Sequence, residues 1–64
     1  MRLRIGNHNL EGVKYLLVEQ GKDEDFLIKR TYSSFTDLPP ISEISDNQAL
    51  YPIESLNRFE IVRD

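Results

Sequence analysis

Val13-Lys14-Tyr15-Leu16-Leu17-Val18-Glu19-Gln20 runs into Gly21-Lys22-Asp23-Glu24-Asp25 and leaves through Phe26-Leu27-Ile28-Lys29-Arg30-Thr31-Tyr32. Two β-prone runs on either side of a glycine-led polar turn form the pattern of an antiparallel hairpin. Leu and Glu also favour helices, but 13–20 is short, lies between glycines and carries two valines and a tyrosine, so it reads as strand. Val13, Tyr15 and Leu17 fall on one face and Leu16 and Val18 on the other. Both faces are therefore partly covered, as in a central strand or one wrapped into a barrel. In the second run Phe26, Ile28 and Tyr32 share a face, with Arg30 the odd member.

On the N-terminal side, Arg2-Leu3-Arg4-Ile5 alternates with Leu3 and Ile5 inward. Gly6 to Gly12, with Asn7 and Asn9 between, supplies turn residues that tolerate positive φ. On the C-terminal side, Leu38-Pro39-Pro40-Ile41 fits neither a helix interior nor a central strand and reads as polyproline-II-like. Ser42 to Leu50, with cap-type Ser45 and Asp46, is expected to hold a turn or two of helix. Tyr51-Pro52-Ile53 reads as an extended edge and Glu54–Asn57 as a single 3₁₀ turn. Residues 58–63 alternate again, with Phe59 and Ile61 inward.

These segments predict a single small domain over residues 1–64, mostly β. The expected architecture is a small antiparallel curled sheet or SH3-like barrel of four to five strands, with at most one or two short helical turns. The expected core is Leu3, Ile5, Val13, Tyr15, Leu17, Phe26, Ile28, Phe59 and Ile61. Phe35, Leu38, Ile41 and Ile53 are expected to lay the long connection over one open end. A connection of that length in so small a domain points to function.

Composition narrows the chemistry. The 64 residues include no cysteine, which excludes disulfides and thiolate metal sites, and a single histidine, His8. Lack of cysteine fits a reducing compartment, and the longest apolar run, Tyr15–Val18, is far short of a membrane span of about 20 residues. A cytoplasmic location without secretory signal or membrane contact is the expectation. His8 lies in a Gly/Asn-rich turn with no nucleophile spaced to it. Asp23-Glu24-Asp25 lacks the spaced ligands of a calcium loop, and no glycine precedes a Lys-Ser or Lys-Thr pair. The chain is therefore expected to be no enzyme and to need no metal or cofactor.

Net charge is −3, the wrong sign for a general nucleic-acid binder. Residues 36–57 carry Asp37, Glu43, Asp46 and Glu54 and no lysine or arginine. The same stretch is crowded with large apolar groups, more than a loop needs. An apolar patch rimmed by acid is what a docking surface looks like. Phe35, Asp37, Glu43, Asp46, Tyr51 and Glu54 are the candidate contacts, and the partner is expected to be another protein with a basic surface. The leading expectation is a non-catalytic protein–protein interaction module that alters its partner's activity. In size and style it resembles the inhibitors of host macromolecules encoded by phages and other mobile elements. The alternative is a small β-barrel single-strand nucleic-acid binder using Lys14, Lys29, Arg30 and Tyr32. A further alternative is a structural or assembly component, with self-association.

Overall fold

The computed structural model describes residues 1–63. Five strands form: β1 (Arg2–Arg4), β2 (Tyr15–Gln20), β3 (Asp25–Tyr32), β4 (Gln48–Pro52) and β5 (Glu60–Val62). Turns of 3₁₀ helix occupy Phe35–Asp37, Ile41–Glu43 and Ile53–Arg58. The strands make one sheet in the order β4-β2-β3-β1-β5. As the sequence predicts, β2 and β3 form an antiparallel hairpin, and β2 is central, with β4 antiparallel on its other side.

The rest of the topology departs from the all-antiparallel expectation. β1 runs parallel to both β3 and β5, so the sheet is mixed. Residues 5–14 are long enough to carry the chain past β3, so β1 pairs with the third strand and leaves the second to the hairpin. Gly6 and Gly12 turn that segment with φ of 64° and 75°, in the left-handed region that glycine enters without penalty. Nor does the sheet close into an SH3-like barrel: β4 and β5 remain as separate edges. The six-residue 3₁₀ segment Ile53–Arg58 carries the chain from one edge to the other and covers a face.

That covered face is the core. Leu3, Ile5, Leu16, Val18 and Ile28 form its buried cluster, and Leu10, Val13, Phe26, Tyr51, Ile53, Leu56 and Phe59 pack against it. The Phe59 ring stands edge-on to Phe26 (5.6 Å between centroids) and to Tyr51 (5.7 Å), tying β3, β4 and the last connection together. The expected core had Tyr15 and Leu17 in place of Leu16 and Val18. Alternation could not decide, because β2 is covered on both sides: Leu17 is only 7% exposed but lies on the opposite face. Leu17 pairs with Arg30 and Val18 with Ile28, leaving Lys29 as an extra residue. This bulge resets the alternation of β3 and brings Lys29, Arg30 and Tyr32 toward the outer face. Ile61 has the expected parity but sits on the edge strand and stays 38% exposed.

The segment from Ser42 to Leu50 has its one helical turn at its start. A three-residue 3₁₀ turn at Ile41–Glu43 is followed by a turn, and β4 already begins at Gln48. Among the described residues helical structure is confined to short 3₁₀ turns, in keeping with the expected mostly-β domain. Among the described residues no helix is long and apolar enough to cross a membrane.

Candidate functional site

β3 and β4 flank β2, so residues 33–47 must cross β2 to join them. They do so as an arch over the outer face. Leu17 is the floor beneath it, Lys29, Arg30 and Tyr32 stand on one side and Pro39 and Glu43 on the other, enclosing a groove of about 520 Å³.

Local hydrogen bonds shape the arch. Asp37 N–H donates to Ser34 C=O (3.2 Å) and Leu38 N–H to Phe35 C=O (3.3 Å), closing the first 3₁₀ turn. Around it the Ser34 and Thr36 hydroxyls lie 2.9 Å apart, and Ser33 Oγ donates to Asp37 Oδ2 at 3.4 Å. Leu38 (φ −66°, ψ 140°) and Pro40 (φ −64°, ψ 152°) are extended, as the two prolines dictate. Glu43 N–H then donates to Pro40 C=O (3.0 Å) in the second turn.

Gln48 fastens the far end. Its side-chain oxygen accepts Ser45 N–H at 3.1 Å, and its amide donates to Glu19 Oε1 at 3.0 Å. Glu19 Oε2 in turn lies 4.0 Å from Lys29 Nζ. One polar chain thus links the arch to β4, β2 and β3.

The arch displays large apolar side chains to solvent. Phe35 is 73% exposed, resting only an edge on the Tyr15 ring (6.4 Å, 64° between planes), and Ile41 is 87% exposed. Leu38 and Ile44 are half-buried and anchor the segment. Asp37, Glu43 and Asp46 are all exposed along the same connection.

The predicted contacts are only partly brought together. Phe35, Asp37 and Glu43 share the arch, and Asp46 stands at its far end beside Gln20 and Phe26. Tyr51 turns to the core face against Phe59, and Glu54 lines a separate hollow with Lys14. Of the alternative basic set, Lys29, Arg30 and Tyr32 meet in the groove, whereas Lys14 does not join them. Ile41 is not among the contacts the sequence suggests; the preceding Pro39-Pro40, which holds the chain extended, is the signal for its exposure. His8 is a half-buried turn residue whose N–H reaches Ile5 C=O at 3.4 Å. Among the described residues no three His, Asp or Glu side chains gather as a metal site. In comparisons with known proteins, no family model, no curated protein and no solved structure matches the chain.

Proposed function

We propose that the chain is a non-catalytic interaction module that docks its 33–47 arch onto a basic surface of another protein. The observation that carries this reading is the exposure of Phe35 and Ile41 on the same arch as the exposed Asp37 and Glu43, in a stretch without a single lysine or arginine. Exposed large apolar groups serve as anchors that desolvate fully only in a complex, and the acids set partner choice and approach. The arch is also stiff where it matters: two prolines and two 3₁₀ turns fix its backbone, so little ordering entropy opposes binding. Small size and the acid-rimmed patch suit an inhibitor that covers a functional surface of a host protein.

The test compares the wild type with the Phe35→Ser/Ile41→Ser double variant as baits in nuclease-treated lysate. A stoichiometric protein retained by the wild type and lost by the variant is the expected result. Equal retention by both baits would sink the proposal.

The groove favours a second reading, binding of a single nucleic-acid strand, because Lys29, Arg30 and Tyr32 converge there. Glu43 on the opposite wall repels phosphate, which is why this reading ranks second. Its signature is affinity for oligonucleotides that falls steeply with salt, and a flat response removes it.

A further inference from the structure

The two edges of the sheet differ as templates for another strand. Successive strand residues direct their N–H and C=O groups to alternate sides. On β4, Ala49 and Tyr51 face β2, in step with the flanking bonds from Ile53 N–H to Lys14 C=O and from Gln20 N–H to Asn47 C=O (2.8 Å each). Gln48, Leu50 and Pro52 therefore face outward. Gln48 N–H is engaged by Ser45 C=O (3.0 Å), and Pro52 has no N–H, so among the described residues Leu50 is the one open donor on this edge.

The β5 edge is open. Glu60 N–H donates to Met1 C=O (2.9 Å) and Val62 C=O accepts Ile5 N–H (3.1 Å), so Glu60 and Val62 face β1. Ile61 then directs both of its backbone groups outward, flanked by Phe59 C=O and Arg63 N–H. Phe59 N–H is already held by Leu56 C=O at 3.1 Å. Read along the edge, the groups alternate acceptor, donor, acceptor, donor, and a two-fold rotation at Ile61 makes this row its own complement. Ile61 N–H and C=O bond reciprocally with Ile61 of the other copy, and Arg63 N–H reaches Phe59 C=O of the other copy.

The side chains agree with this pairing. Ile61, 38% exposed, meets Ile61 of the other copy. Glu60 falls opposite Val62, and Arg63 opposite the Phe59 ring, a favourable cation–aromatic arrangement. No like charges stand directly opposite each other.

The geometry points to a second copy of this chain as the occupant of the β5 edge, paired antiparallel about a two-fold axis at Ile61 to make one sheet continuous across the dimer. The arch lies over β2, with β3 and β1 between it and the β5 edge, so it stays free in the dimer and this inference stands apart from the docking proposal.

Sedimentation equilibrium and amide hydrogen exchange on the full chain, from about 10 μM to about 1 mM, test it. The expected result is a mass that rises from monomer to dimer. With it the Ile61 and Arg63 amides gain about tenfold protection or more while the Leu50 amide does not change. Arg63→Pro removes a donor that no backbone bond among the described residues uses, and should weaken the dimer about tenfold or more with the circular dichroism unchanged. Ile61→Lys places two ammonium groups across the axis and should leave a monomer. A chain that stays monomeric at the highest concentration overturns the inference, as does a dimer whose Ile61 and Arg63 amides exchange at the monomer rate. The exchange measurement on the unmodified chain decides the matter even if a variant fails to fold.

Discussion

The Nε of Arg4 lies 2.8 Å from Oδ2 of Asp25, an ion pair that ties β1 to β3 where the hairpin turn opens into the strand. Arg2 Nε lies 3.8 Å from the other carboxylate oxygen, so one acid serves two arginines on the same face. The pairing of Arg2 with Asp25 and Arg4 with Leu27 places all of these on the outer face. The alternation of Arg2 and Arg4 thus does more than keep β1 half in water: it fixes the register of a parallel pair.

Asp25→Ala should lower stability by about 1 kcal/mol, because both arginines are about half exposed and only Asp25 is largely covered. Asp25→Asn should lose less, since the amide oxygen still accepts from Arg4. Urea midpoints at low salt and at about 1 M salt check this, with the gap to wild type shrinking as salt screens the pair. An unchanged midpoint for Asp25→Ala at low salt would show the pair to be idle.

The hairpin turn carries strain that a single substitution should relieve. Asp23 and Glu24 have φ of 56° and 60°, and Asp25 N–H closes the turn on Lys22 C=O at 3.0 Å. Positive φ at both central positions marks the primed turn that suits a two-residue hairpin, whose favoured sequence is Asp-Gly. Glu24→Gly supplies it and should stabilise the chain by about 0.5–1 kcal/mol, raising the melting temperature by a few degrees. Glu24→Ala, which keeps the Cβ, should give no such gain.

Leu16 and Leu17 separate the two faces of β2. Leu16 is 1% exposed in the core cluster, whereas Leu17 sits on the opposite face as the floor of an open groove. Leu16→Ala should cost about 2–5 kcal/mol. That is enough to unfold much of a domain whose total stability is on the order of 3–10 kcal/mol. Leu17→Ala should fall at the low end of that range, about 2 kcal/mol, because water can enter the space it leaves. Thermal melts of the two variants read the difference directly, and equal losses would mean that β2 buries its two faces alike.

The same pair shows how far the sequence could be read. The hairpin, the central place of β2, the extended prolines and the short C-terminal strand all follow from local signals: alternation, turn residues and fixed φ. The face of β2 does not, since Tyr15-Leu16-Leu17-Val18 is apolar throughout and only the crossing of residues 33–47 over Leu17 reveals which side is the core. The parallel placement of β1 is a tertiary choice with no local mark. The same holds for the site: acids and apolar residues in 35–54 were visible as a composition, but Tyr51 belongs to the core through Phe59, a contact eight residues away in sequence. Ile41 could be found only by following what two prolines do to the residue after them.

Phe35 and Ile41 are the positions at which folding and binding should come apart. Both have most of their surface in water, and neither is part of the core cluster, so truncation removes little buried area. The Phe35→Ser/Ile41→Ser double variant should melt within about 0.5 kcal/mol of the wild type, the range of ordinary surface changes. Phe59→Ala, which removes the ring between Phe26 and Tyr51, should instead cost about 3–5 kcal/mol. Aromatics kept for packing lose stability when cut, and aromatics kept for a partner do not. If the double variant melts with a loss near that of Phe59→Ala, Phe35 and Ile41 are structural, and the arch has no claim to be a docking surface.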